Sequence, residues 1–343
     1  MMPEGRKKSG SPLVSVVVPF YDEKENLEAL WKEIRAALDR GGIGGEILFV
    51  DDGSRDGSHL VVERLHERDP SVRLVRLSRN FGHQAALTAG LDLARGEAVI
   101  SLDADLQHPP ALIPEMVRLW REEGWAVVNA LRRRMEDAGL LKRVASRLFY
   151  ALWKRLSEVE IRPGSADFRL LDRSVVDALK ELPERHRFLR GLVPWLGFPQ
   201  TEIFFEAPAR HAGKSKYSIK KMFRLAVDGI TSFSAAPLQV TALAGAAVTA
   251  LAFLYMVYAF VQWARGAVQP GWSSLIAAVL LLGGIQLLAL GVIGLYLGRV
   301  YNEVKGRPLY VLRETRFFPS REEGRDGGEA PREGGVSGPG ASG

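Results

Sequence analysis

Three oxygen-bearing side chains stand two residues apart in the stretch SLDADLQHPP, at Asp103, Asp105 and Gln107. An apolar run, Ala98-Val99-Ile100, leads into them. Extended backbone sends alternate side chains to one face, so a strand that persists past Leu102 makes the three converge. Two carboxylates and an amide oxygen form a hard, anionic cluster. That cluster suits Mg2+ or Mn2+, which take oxygen ligands and share them with phosphates. Alone, the triplet also reads as a solvated strand end with an aspartate turn before Pro109-Pro110.

Two further acidic clusters occupy comparable places. Tyr21-Asp22-Glu23 follows the apolar run LVSVVVPF, and Asp51-Asp52-Gly53-Ser54 follows EILFV. In VDDGSRDGS, Gly53 and Gly57 permit tight turns and Ser58 can cap the next helix. A capped turn with spare carboxylates is the alternative for that motif by itself.

These clusters must be held by the elements before and after them. LVSVVVPF reads as a buried strand, and EKENLEALWKEIRAAL has helical spacing at Leu27, Leu30, Trp31, Ile34 and Leu38. A strand at EILFVDD, a helix at SHLVVERLHER, a strand at VRLVRLS, a helix at HQAALTAGLDLA and a strand at EAVISLDAD continue the pattern. Alternating strands and helices predict an α/β fold, a mostly parallel sheet covered by helices. Ligands of such sheets sit beyond the carboxyl ends of the strands. All three acidic clusters fall there.

The bulk composition narrows the function. The 343 residues include no cysteine, so thiolate catalysis, disulfides and Cys-ligated zinc are excluded. Lys and Arg number 46 against 40 Asp and Glu, and the pI is near 9.5. From Gly229 to Ala264 no residue is charged, Arg265 interrupts, and Gly266 to Gly298 is again uncharged. Each run exceeds the roughly 20 apolar residues that cross a bilayer, which predicts spans near 238–261 and 274–297. Lys214, Lys216, Lys220, Lys221 and Arg224 precede the first span, and Arg299, Lys305 and Arg307 follow the second. The positive-inside rule then puts the α/β domain and both termini in the cytoplasm, on a two-span protein of the cell membrane.

The expected organisation is a disordered tail 1–11, a catalytic domain 12–209, a basic juxtamembrane segment 210–233, the two spans within 234–299, a cytoplasmic segment 300–319 and a disordered tail 320–343. Residues 139–157 alternate leucine and basic positions as an amphipathic helix, either packed on the domain or lying on anionic lipid. Gly294 and Gly298 would allow close helix approach, within one chain or in a homo-oligomer. The basic residues cluster near the spans without a nucleic-acid motif, which argues against nucleic acid as a partner. Two spans free of charge offer a flippase no polar pathway.

Taken in order, VVPFYDEKENL, VDDGSRDGS, LSRNFGHQAALTAGL, SLDADLQHPP, SADFRLLDR and RHAGKSKYSIKKM, then two spans, resemble the family-2 glycosyltransferases of the GT-A fold. The nearest likeness is to polyprenyl-phosphate sugar transferases, the group of bactoprenol glucosyltransferase and dolichol-phosphate mannose synthase. It extends over about residues 12 to 310. The resemblance implies nucleoside contacts from Pro19, Tyr21, Glu23 and Asp52, with Val50 beside the base. It implies a Mg2+ or Mn2+ ion on the diphosphate, held by Asp103, Asp105 and Gln107 with Ala104 between them. Arg210 and Lys216 of the basic loop approach phosphate, and Asp167 and Arg169 occupy the acceptor side. The family's Arg-x-x-Arg after the metal motif is displaced here, leaving Arg132 as the catalytic candidate and Arg147 as a second acceptor-phosphate candidate. Gln-x-x-Arg-Trp of the processive polysaccharide synthases is missing, which disfavours polymer synthesis.

The implied reaction transfers a hexose, with inversion, from a nucleotide diphosphate sugar to a polyprenyl phosphate in the bilayer. UDP-glucose is the favoured donor and GDP-mannose the alternative. A phosphate monoester has its second pKa near 6, so the acceptor is already largely dianionic at neutral pH. Asp167 is therefore either a general base with little to do or an orienting group. A non-catalytic scaffold that binds nucleotide sugar or lipid is the competing class, and it would not need an intact metal triplet.

Overall fold

The computed structural model describes residues 13–132, 165–185, 187–206, 236–265 and 271–318. Arg147, Arg210, Lys216, the 139–157 stretch, the basic segment 210–233 and both tails lie outside the described residues.

β1 (Val14–Phe20) is buried at every position, as a central strand covered on both faces must be. It pairs in parallel with β2 (Gly45–Asp51) on one side and β4 (Ala98–Ser101) on the other. β3 (Val72–Leu77) extends the sheet beyond β2, also parallel. The crossovers are α1 (Leu27–Arg40), α2 (Ser58–Arg68) and α3 (His83–Leu93). The four strands and three helices expected from the apolar spacing are thus present. Alternation divides the core in two. Val14, Val16 and Val18 face one apolar layer, while Val17 packs with Leu48, Val50 and α3 in the other.

The second half of the domain adds α4 (Ile113–Glu123), β5 (Val127–Arg132), β6 (Ser165–Asp172), α5 (Arg173–Glu181), α6 (Leu189–Trp195) and β7 (Gln200–Phe205). β6 runs antiparallel between β4 and β5. With a last strand, β8 (Leu312–Arg316), the full order is β7-β5-β6-β4-β1-β2-β3-β8, a mostly parallel sheet flanked by helices. This is the GT-A architecture.

Two long apolar helices follow, α7 (Ala236–Ala264) and α8 (Trp272–Val304). Their stretches Leu238–Gln262 and Leu281–Val304 are long and apolar enough to cross a membrane, and neither is buried within the chain. The first coincides with the expected span. The second apolar stretch lies further along than 274–297, because α8 continues unbroken through Arg299 to Val304. At its end, Glu303 accepts the backbone N–H of Arg185 at 3.1 Å through both carboxylate oxygens.

The segment after α8 is part of the sheet. β8 (Leu312–Arg316) pairs antiparallel with β3 at the sheet edge. Arg76 bridges Asp51 at 3.3 Å and Glu314 at 2.5 Å, Phe317 stacks on His66 with ring centroids 3.7 Å apart, and Tyr310 donates to Asp92 at 2.8 Å. Residues 300–319 were expected only as a flanking segment. Covering the exposed edge of β3 is the physical reason for the difference.

α3 must lie close to the sheet to bring its first residue, His83, over the strand ends. Gly90 permits that approach: a Cβ there would stand 2.2 Å from Val17 Cγ1 and 3.1 Å from Val50 Cγ2. Gly90→Ala is expected to cost about 1–3 kcal/mol by overpacking and to tilt α3 away from the cleft. A lowered thermal midpoint together with reduced turnover checks this.

Candidate active site

A cleft of about 460 Å3 opens at the carboxyl ends of β1, β2 and β4. Pro19, Tyr21 and Glu23 come from the end of β1, Asp52 from the end of β2, and Asp103, Ala104 and Asp105 from the end of β4. Asn80, Gly82 and His83 from the entry to α3 and Arg190 from α6 also line it.

The loops after β1 and β2 are latched together. Asp22, at φ +53°, accepts the N–H of Arg55 at 2.8 Å, and its own N–H donates to Ser54 Oγ at 3.0 Å. Lys24 N–H donates to Asp56 at 3.1 Å, and Glu23 N–H to Ser58 Oγ at 3.2 Å. Ser58 therefore serves the neighbouring loop rather than capping α2, whose N-cap is Gly57.

Asp52 is nearly buried and its two oxygens accept the N–H groups of Phe81 at 2.7 Å and Gly82 at 2.9 Å. Burial raises its pKa above the ordinary value, against the pull of those two N–H groups. Gly53, at φ +77°, lets the loop 79–80 come close, since a Cβ there would stand 2.6 Å from the carbonyl carbon of Arg79. Asp51 is fully buried and accepts Ser54 N–H at 2.7 Å.

The Asp-x-Asp pair is brought to the cleft by a turn rather than by strand alternation. β4 ends at Ser101. Leu106 has φ +60°, and Asp105 Oδ1 accepts Gln107 N–H at 3.1 Å. Asp103 and Asp105 reach the cleft, while Gln107 is not part of its wall. Asp103 N–H donates to Nδ1 of His108 at 3.0 Å, and the His108 ring stacks on Phe168. Asp103 Oδ1 is a buried carboxylate oxygen without a hydrogen bond, 3.4 Å from His83 Nε2. An unsatisfied buried carboxylate oxygen beside a second carboxylate fits a hard divalent cation. Among the described residues no three His, Asp or Glu side chains are arranged so as to hold a metal ion by themselves. Mg2+ commonly takes one or two carboxylates and finds its remaining ligands in substrate phosphates and water.

Asp167 sits beneath the cleft at the start of β6 and carries four polar partners. Arg190 grips it with Nε at 3.1 Å and Nη2 at 2.9 Å, Arg169 stands at 3.4 Å, His83 Nε2 at 3.3 Å and Gln84 Nε2 at 3.2 Å. Burial opposes the charge, but Arg190, His83 and Arg169 overcome it and hold the carboxyl well below the usual carboxylate range. Such a group is a weak base and a strong organiser. His83 answers to the same carboxylates: burial disfavours its cation, and Asp167 and Asp103 raise its pKa regardless.

The other expected residues are placed as follows. Arg169 is buried, donates to the Leu189 carbonyl at 3.4 Å, and supports Asp167 instead of facing the cleft. Arg132 ends β5 on the surface, in register with Phe205, and is not part of the cleft wall. Val50 is fully buried under α3, because alternation in β2 turns it to the core. Three residues without an assigned role in the sequence reading, His83, Gln84 and Arg190, prove central. HQAALTAGL contained the first two, and nothing in the spacing of RFLRGL singled out the third.

Residues 15–180 match the model described as glycosyl transferase family 2, and residues 236–300 match the GtrB C-terminal hairpin. An uncharacterized glycosyltransferase from Bacillus subtilis (strain 168) is 42% identical over 313 residues, covering 91% of this chain and 97% of the relative. The chain belongs to glycosyl transferase family 2. The bactoprenol glucosyl transferase of Shigella phage SfV is 38% identical over 304 residues, covering 88% of this chain and 99% of its own. Among solved structures, glucosyl-3-phosphoglycerate synthase from Mycobacterium tuberculosis in complex with Mn2+, UDP and phosphoglyceric acid is 21% identical. Its TM-score is 0.46, covering 65% of this chain and 78% of that one.

Asp167→Asn should remove the buried charge that Arg190, Arg169 and His83 share, at a cost of about 3–5 kcal/mol. A carboxyl with a depressed pKa stabilises the fold above its unfolded pKa, near 3.9, and loses that contribution as pH falls towards the folded value. The gap in thermal midpoint between wild type and Asp167→Asn should be full at pH 7 and narrow below about pH 4.

Proposed function

We propose that the chain transfers a hexose from a nucleotide diphosphate sugar, favoured as UDP-glucose, to a polyprenyl phosphate held in the bilayer. The observation that carries this reading is the pair Asp103 and Asp105 on the wall of a nucleotide-sized cleft, with Asp103 Oδ1 buried and without a hydrogen bond among the described residues. The apolar hairpin and the likeness to proteins named bactoprenol glucosyl transferase support the lipid acceptor.

Tyr21, Pro19 and Glu23 would line the nucleoside side of the cleft, and Asp52 would hold the loop 81–82 against it. Asp103 and Asp105 would hold Mg2+ or Mn2+, with donor phosphates completing the shell. When bound, such an ion supplies charge neutralisation at the departing diphosphate. Arg190 and His83 add positive charge from the protein, both oriented by Asp167. A phosphate oxygen of the acceptor attacks the anomeric carbon as the bond to the diphosphate breaks, and the configuration inverts. The acceptor arrives as a dianion, so no base is needed and Asp167 acts by position.

Tethering has a physical purpose. A polyprenyl chain does not leave the bilayer, and a catalytic face held against it replaces a search through volume by a search over a surface. The basic residues flanking the hairpin support a cytoplasmic orientation for that face.

Asp105→Ala should abolish transfer while leaving the chain folded and membrane-bound, so near-normal turnover with metal present would remove the metal assignment. Incubating the full chain with polyprenyl phosphate and a panel of sugar nucleotides, followed by mass analysis of the lipid, should find a hexose adduct from UDP-glucose. An adduct formed from GDP-mannose alone would replace that donor.

A further inference from the structure

A second cleft, of about 250 Å3, lies on the far side of Tyr21 and Asn80, which line both. Four arginines contribute to its wall, Arg55, Arg76, Arg79 and Arg313, and no carboxylate does. Arg76 is neutralised by Asp51 and Glu314. Arg79 lies over the Phe81 ring at 4.1 Å and donates to the Asn80 carbonyl at 3.0 Å. Arg55 and Arg313 form no ion pair among the described residues. Their positive charges are left without an ion-pair partner among the described residues, one on the loop after β2 and one on β8, in the wall of one concavity.

Arg313 reaches this place through an irregularity in β8. Leu312 stands opposite Leu77 and Glu314 opposite Arg76, so Arg313 is an extra residue in the ladder. Bulges of this kind re-aim a side chain beside functional sites. The cleft is therefore completed only when the strand that follows the apolar hairpin docks on β3.

We infer that this second cleft binds a phosphate-bearing anion, gripped by Arg55 and Arg313 and separate from the donor cleft. Guanidinium groups recognise phosphate by paired, charge-assisted hydrogen bonds. The volume lies below the roughly 300–1,000 Å3 of pockets for drug-sized ligands, which suits a phosphate or diphosphate group in preference to a whole nucleotide. Occupancy would bear on the donor cleft through the shared Tyr21 and Asn80, and through Arg76, whose partner Asp51 precedes Asp52. The anion comes either from solution or from a lipid headgroup.

The test uses the full chain in detergent and radiolabelled inorganic pyrophosphate, in chelator, by equilibrium dialysis. The double variant Arg55→Ala, Arg313→Ala should bind pyrophosphate at least about tenfold more weakly than wild type, as expected for losing two charge-assisted contacts. Asp105→Asn, in the donor cleft, should leave that affinity no weaker. Arg55→Ala alone, on an exposed loop, repeats the comparison without touching β8. Pyrophosphate affinity equal in wild type and both arginine variants would overturn the proposal, as would weakening by Asp105→Asn alone. Repeating wild type in bilayer discs of phosphatidylcholine, and of phosphatidylcholine with an equal part of phosphatidylglycerol, separates the sources. Competition by the anionic lipid assigns the site to a headgroup, and equal affinity in both assigns it to a free phosphate, the proposal holding in either case.

Discussion

Carboxylates crowd one edge of the sheet, and their mutual repulsion is the constraint on which the rest of the domain is built. Each is answered differently. Asp51 has Arg76, Asp52 has two backbone N–H groups, and Asp167 has Arg190, Arg169 and His83. Asp103 shares His83 with Asp167, and Asp105 accepts a single backbone N–H from its own turn. The first three are thereby fixed as structure. The last two line the cleft, which is where an added cation would have the most to offer.

That distribution depends on close backbone approaches and on contacts far apart in sequence. Gly90 lets α3 settle on β1 and β2, which brings His83 over the strand ends. Gln84 then links α3 to β6 and α6, donating to Asp167 and accepting the N–H of Leu189 at 3.2 Å. The apolar hairpin is joined to the same domain at two places, Glu303 to the loop at Arg185 and β8 to β3. These contacts connect the apolar hairpin to the domain that carries the cleft.

The first four strands were legible because their β-branched runs alternate with amphipathic helices, a pattern that local physics writes directly into residue spacing. The positions of the acidic clusters followed, since strand ends in such a sheet share one edge. Convergence at Asp103 and Asp105 was legible too, but for the wrong local reason: Leu106 in the left-handed region makes a turn that spacing cannot reveal, and it leaves Gln107 outside the cleft wall. β8 was not visible, because LRETR has no apolar pattern and is held by an exposed edge and by Arg76 and Glu63 from elsewhere. The same holds for Arg190. Its partner Asp167 lies 23 residues away, and the pairing exists only once β6 and α6 have packed.

The most direct test of the central claim is transfer of hexose to polyprenyl phosphate by the full chain after exhaustive chelation, followed by return of Mg2+ or Mn2+. Loss of transfer to background and recovery on adding either ion is the predicted result. Transfer at full rate in chelator would contradict it, because Asp103 and Asp105 would then be doing some other task.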